Sequence, residues 1–473
     1  MKANENLSEH NESRTIDAIN DFARNFVKVS FKDLPKLAVD AAKMEVLDSL
    51  GVGLAGSTQQ GIPELLEVLK GFGGKEQSTV IAADIKLPVI HAAQINATMI
   101  HALDYDDTLE IPLSHPGSVL IPTCFAMAEY IGKLSGRECL TAIALGADLM
   151  GRWGLAINDK IYAVNRGLNL TALYGYFAAA AIAGRLLGLE EEKLINALGI
   201  VYHQASGFGV GVADGALTKR MGPGFAARGG ILAALMAEKG ITGPKNIIDG
   251  QTGIYNVYHH GAYDRETLLR NLGKTFEGAN LTIKPYPCCR GTHPFIDAAL
   301  ILVKEYHIKP EQVQKVTITV GKGGMLLCAP LDVKCNPRTP VDCQFSIPWV
   351  VARAIAKGKV DIDNVTEEGI KDENIRKISS KITIEIDPDP IFHPLDPGRV
   401  EITTKEGTYK KRVDDPYGGP KNPMTFDDLV NKFYDCATHS GKHIQRKKLD
   451  KAVGLIKELE TVDNVAEIMV QIG

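Results

Sequence analysis

From Thr15 to about Asn280 apolar residues recur at three- and four-residue spacing. Ile16, Ile19, Phe22, Ala23 and Phe26 form one such stripe, the buried face of an amphipathic helix. The same spacing predicts helices over 39–54, 88–102, 118–134, 138–153, 171–187 and 190–206. Several are apolar nearly all round, which implies a thick helical core. The run Phe177-Ala-Ala-Ala-Ala-Ile-Ala-Gly184 suits close helix contact, because small side chains let backbones approach. After about Leu281 the period drops to two, in Val316–Val320, Ile382–Ile386 and a shorter run from Val400. Helical patterns at 294–306 and 347–357 lie between these strands. A turn-rich stretch, Asp414–Pro423, closes the region, and helix resumes at Thr425. The expected fold is mainly α with an α/β insertion. Residues 1–280 and 414–473 make a large all-helical domain, and 281–413 make a smaller α/β lid domain.

Composition narrows the function classes. The chain has 473 residues, 53 basic and 57 acidic side chains, and a formal charge of −4. No basic block or aromatic-interleaved Lys/Arg stripe stands out, so no nucleic-acid partner is expected. The most apolar stretches are short and interrupted by residues such as Gly184 and Arg185, so no membrane span is expected. Residues 1–15 are polar and mixed in charge, which predicts a disordered lead-in and a cytoplasmic location. The eight cysteines show no CxxC spacing, so neither a zinc site nor an iron–sulfur cluster is signalled. Cys288 and Cys289 read as packed thiols, and His203 as a satisfied core histidine.

Three stretches carry candidate chemistry. His101-Ala-Leu-Asp-Tyr-Asp-Asp-Thr108 places three aspartates at a predicted helix C-terminus, where the helix dipole disfavours them. If the helix continues, Asp104 shares a face with Asp107 and Thr108; the alternative is a loop that merely ends the helix. Lys284-Pro-Tyr-Pro-Cys-Cys-Arg-Gly-Thr-His293 is stiffened by its prolines. It groups Lys284, Tyr286, Arg290 and His293 at the domain junction, either as a carboxylate clamp or as a polar hinge. In Thr218-Lys-Arg-Met-Gly-Pro-Gly224 a glycine turn precedes a helix whose amides could meet an anion, with Lys219 and Arg220 adjacent; taken singly, the stretch reads better as a simple interhelical turn.

These stretches, in this order, resemble the MmgE/PrpD family, whose members include 2-methylcitrate dehydratase, cis-aconitate decarboxylase and iminodisuccinate epimerase. The resemblance runs from Leu47-Asp-Ser-Leu-Gly-Val-Gly-Leu-Ala-Gly56 through His101–Pro116, Lys219–Gly230 and Lys284–Asp297 to Asp342-Cys-Gln-Phe-Ser-Ile-Pro348. It implies a homodimer with no metal and no organic cofactor. By position it marks Asp104 and Thr108, His115 of the His-Pro step, Lys219, and the pair Lys284 and His293. Asn169 and Gly222 stand where many members carry histidine.

The expected function is therefore a metal-independent lyase acting on a small di- or tricarboxylic acid, foremost a 2-methylcitrate-type dehydratase. An epimerase of an iminodisuccinate-like acid and a cis-aconitate-type decarboxylase are the alternatives. A silent carboxylate-binding scaffold is the non-enzyme reading. The expected catalytic set is Asp104 as base and His115 as acid, with Thr108, Lys219 and His293. Lys284, Tyr286, Arg290 and Arg220 are expected to hold the substrate.

Overall fold

The computed structural model describes residues 16–157, 167–388 and 395–473. The polar lead-in read over residues 1–15 lies outside the described residues. Most of the chain is helical. The helices Lys36–Gly56, Val89–His101, Gly117–Ile131, Gly136–Leu155, Leu170–Leu186, Glu191–Tyr202 and Gly222–Glu238 pack into one large core. The C-terminal helices Phe426–Thr438 and Arg446–Lys457 add Leu429, Phe433, Leu449, Ala452 and Ile456 to that same core. Among the described residues no helix is long and apolar enough to cross a membrane.

Small residues decide how closely the central helices approach. A Cβ on Gly230 would lie 2.4 Å from the Ala179 Cβ, and one on Gly224 would lie 2.5 Å from the Thr98 hydroxyl. Side chains there would force the helices apart. This corrects the reading of the glycine turn as an anion cradle. The helix already begins at Gly222, and Gly224 and Gly230 serve its packing against the 89–101 and 170–186 helices. His203 is corrected too: it is exposed just beyond the end of the 191–202 helix rather than buried in it.

The smaller part holds a four-stranded sheet in the order β4-β3-β5-β6, preceded in the chain by a short hairpin of β1 (Ser78–Thr79) and β2 (Lys86–Leu87). Strand β3 (Lys315–Val320) runs parallel to β4 (Ile382–Ile386) and antiparallel to β5 (Gly398–Thr403), with Ile318 opposite both Ile384 and Val400. Strand β6 (Thr408–Val413) closes the edge, and its Lys410 sits opposite Glu401 at 2.6 Å. The parallel pair needs a crossover. The helix Ile347–Lys357 lies within it, packed against the helix His293–Glu305. Ile318, Val316, Val400, Ile402, Phe295 and Trp349 form a second core, which also takes in Val52, Ile100, Leu103 and Cys436. The two cores thus meet along the 36–56, 89–101 and 426–438 helices, beside the acidic stretch.

Candidate active site

The 89–101 helix stops at His101, and Asp104 adopts a left-handed backbone with φ of 50°. Aspartate tolerates that region better than most side chains. The turn corrects the expectation of a shared helical face, because the three aspartates now point to different partners. Asp104 accepts from the ammonium groups of Lys219 and Lys284, the latter at 3.1 Å. The Nδ1 of His101 lies 2.7 Å from the Asp106 carboxylate. Asp107 accepts from the amide of Gly117 at 3.0 Å. Gly117 has to be glycine here, since a Cβ would fall 2.4 Å from both the Asp107 carboxylate and the Ser49 hydroxyl.

The backbone of the turn is equally committed. The carbonyl of Asp104 accepts from Lys284 at 2.8 Å, that of Tyr105 from Lys432 at 2.8 Å, and that of Asp107 from His115 Nδ1 at 2.7 Å. Thr108 and Thr282 exchange two backbone hydrogen bonds of 2.9 Å, which lays the basic stretch antiparallel to the acidic one. The Thr108 hydroxyl donates to the Ser114 carbonyl at 3.1 Å and closes the loop that carries His115. From the smaller domain Phe345 places its ring 4.8 Å from the Lys219 ammonium. The side chains of Asp104 and Lys284 are 2% and 0% accessible, whereas His115 keeps 17% and Lys219 9%. His115 and Lys219 are therefore the groups that an entering molecule meets.

A carbonyl oxygen only accepts, so His115 Nδ1 carries the proton and its Nε2 is bare in the neutral ring. Burial and then the charge of Lys284 push the His115 pKa down to about 3. Burial alone would raise Asp104, but Lys219 and Lys284 outweigh it and hold the carboxyl well below its usual range. Burial would likewise lower Lys284, yet Asp104 and Asp106 hold its ammonium above the ordinary value. Asp106 stays ionised because His101 and His115 outweigh its burial. His101, Asp104 and Asp106 could by distance hold a cation, with donor atoms within 4.8 Å of one another. Both Asp104 oxygens already face lysines, so this donor set suits ammonium groups better than a metal.

The MmgE/PrpD N-terminal domain matches residues 20–266, and the MmgE/PrpD C-terminal domain matches residues 286–457. The chain belongs to the MmgE/PrpD family. Its relatives include the cis-aconitate decarboxylase of Homo sapiens, 27% identical over 437 residues that cover 90% of this chain and 88% of that protein. The cis-aconitate decarboxylase of Aspergillus terreus is 25% identical over 465 residues, covering 92% of each. The 2-methylcitrate dehydratase of Escherichia coli (strain K12) is 24% identical over 370 residues, covering 75% of this chain and 74% of that protein.

In this MmgE/PrpD chain the structure brings together Asp104, Thr108, His115, Lys219 and Lys284. It gives four other expected site residues protein partners of their own. Arg220 is buried and donates to the Gln60 carbonyl at 2.8 Å. Arg290 spends its guanidinium on Glu110, Tyr417 and Pro416, at 2.9, 2.8 and 3.1 Å. Tyr286 donates to Asp297 at 2.6 Å, and His293 sits fully buried between Arg290 and the Cys288 carbonyl. Buried polar groups at a domain junction take protein partners, and for Arg290, Tyr286 and His293 these partners occupy the groups expected to act on a substrate. Asn169 caps the 170–186 helix through Ala172 at 3.2 Å, and a Cβ on Gly222 would lie 3.6 Å from its amide nitrogen. The two departures from the family pattern thus lie side by side. Burial pushes the Cys288 thiol up to about 12, as suits a packed thiol.

Sequence reasoning missed His101 and Asp106, and also Glu45, Asp48 and Lys432 behind them. A signal existed: Lys432 falls on the apolar stripe of Leu429, Phe433 and Cys436, and Glu45 and Asp48 are the charged residues in the buried second half, 45–56, of the 36–56 helix. Burial, then the charge of Asp48, pushes Glu45 up to about 8. A carboxyl raised in this way lends stability that is complete below its unfolded pKa of about 4.5 and is lost as pH rises through 8. Glu45→Gln should therefore flatten the pH dependence of unfolding free energy between pH 5 and 8. Denaturant titrations should show wild type falling about 1.4 kcal/mol per pH unit more steeply than the variant. Parallel curves would mean that Glu45 is ionised in the fold.

Proposed function

We propose that this protein is a lyase that decarboxylates a small unsaturated tricarboxylic acid of the cis-aconitate kind, with lysines supplying the positive charge. One observation carries the reading: two ammonium groups and one neutral imidazole gather around a buried carboxylate. Loss of carbon dioxide leaves an electron pair on carbon beside a remaining carboxylate. Preorganised cations in a water-poor site stabilise that charge most effectively. Lys219, with N–H groups left over from Asp104, binds the substrate carboxylate and is the proton donor. His115, through its bare Nε2, takes the proton of the reacting carboxyl as carbon dioxide leaves; Lys219 protonates the carbon, and transfer from His115 back to Lys219 closes the cycle. Asp104 is then the anchor that holds both lysines rather than the base, and His115 exchanges its expected acid role for that of base.

Dehydration of a 2-methylcitrate-like acid is the second reading, favoured by the resemblance to a relative of that name. It requires an acid for the departing hydroxide; an imidazole held near pKa 3 carries no spare proton at neutral pH, so Lys219 would have to protonate the leaving group as well as bind the substrate. Incubation with cis-aconitate and with 2-methylcitrate in deuterated water, followed by NMR, separates the cases. Carbon dioxide release with one deuteron incorporated from cis-aconitate is expected, unaffected by a chelator. Alkene formation from 2-methylcitrate alone would move the assignment to dehydratase. Tight binding with no turnover of either acid would leave a carboxylate-binding scaffold.

A further inference from the structure

We infer that Lys432, from the C-terminal Phe426–Thr438 helix, is a positioning residue that sets the distance between the acidic turn and the basic stretch of the site. This rests on the reading of that cluster as an active site. The Lys432 side chain is 4% accessible, and its ammonium makes three hydrogen bonds. It donates to the Asp48 carboxylate at 2.6 Å, to the Tyr105 carbonyl at 2.8 Å and to the Lys284 carbonyl at 2.8 Å. An ammonium has three N–H groups, so its capacity is fully used. The Tyr105 ring lies 3.7 Å from the same nitrogen and lines the fourth side.

The two carbonyls are not arbitrary. Tyr105 is the residue after Asp104, and Lys284 is the residue whose own ammonium reaches back to Asp104. One cation thus ties the backbone of both partners of the Lys284–Asp104 contact, and it does so from a helix more than a hundred residues further along the chain. Asp48, on the Lys36–Gly56 helix, supplies the countercharge that makes burial of this ammonium tolerable. Without Lys432 the carbonyls of Tyr105 and Lys284 would both lack a donor in a place water does not reach. The turn and the strand would then separate to find other partners. A shift near 1 Å in such a constellation costs roughly 10²-fold in turnover.

The test compares Lys432→Met/Asp48→Asn with Asp48→Asn alone. The double variant removes the buried charge together with its partner, so that loss of folding does not obscure the result. Two readouts are needed. Hydrogen exchange at the amides of Thr108 and Thr282, which pair with one another, reports the turn–strand register with no assumption about the reaction. The expected result is faster exchange at both amides in the double variant, an unchanged melting midpoint relative to Asp48→Asn, and kcat on cis-aconitate lowered roughly 10²-fold with KM little altered. Protection and kcat equal to those of Asp48→Asn would overturn the inference, since Lys432 would then only balance Asp48. Faster exchange in a protein whose wild type turns over no carboxylic acid would sink the proposed function and leave the positioning role standing.

Discussion

Asp104→Asn is expected to lower kcat/KM by about 10²-fold, by releasing the lysines it positions, and to destabilise the fold by about 3–5 kcal/mol at neutral pH. The carboxylate of Asp104 is 2% accessible and lies between Lys219 and Lys284. An asparagine keeps the shape and removes the charge, which leaves two buried ammonium groups facing each other with no anion between them. Breaking a buried pair on one side is costly for that reason. The ammonium of Lys284, held above its ordinary value partly by Asp104, should then lose its proton at lower pH. The alkaline limb of the pH–rate profile should move down accordingly. In stability the sign is the usual one for a depressed carboxyl: the contribution of Asp104 is present above about pH 3.8 and is lost as pH falls. Turnover and unfolding midpoints equal to wild type in the variant would remove Asp104 from the site.

His115→Ala should cost turnover a comparable amount, about 10²–10⁴-fold, with much smaller loss of binding. The imidazole keeps 17% of its side chain accessible, and its Nδ1 proton is committed to the Asp107 carbonyl. Because its pKa is held near 3, wild-type kcat should show no titration near 6.5. A neutral buried histidine also has a consequence for stability. Below about pH 6.5 the unfolded chain takes up a proton that the folded site refuses until about pH 3. Stability is therefore lost as pH falls through that window, by about 1.4 kcal/mol per pH unit for this one group. His115→Ala should make the acid side of the stability curve shallower by that slope. A kcat profile with a clear inflection near 6.5 that His115→Ala abolishes would show that the ring titrates at its ordinary value rather than near 3.

Much of the fold is legible in the order of residues. The 347–357 helix and the 382–386 strand fall where periodicity places them, and the helices from 89 to 202 differ from expectation by a few residues at their ends. Long apolar stripes permit one burial pattern, so they are readable without knowledge of what they touch. Strand β6 is harder to see, because Thr408-Tyr-Lys-Lys-Arg-Val413 is an edge strand whose polar face is stabilised by pairs such as Lys410 with Glu401.

The site divides along the same line. Residue order alone determined that acidic, basic and histidine-bearing stretches exist, and resemblance pointed to Asp104, Thr108, His115, Lys219 and Lys284 among them. Only tertiary structure decided which of these groups carries a proton, which of the cations is free, and that Lys432 stands behind them. The physical reason is that charge state and hydrogen-bond capacity depend on partners within a few ångströms, and those partners come from helices hundreds of residues apart. Arg290 and Lys219 look alike as letters; one is spent on Glu110 and two carbonyls, and the other keeps N–H groups at the mouth of the site.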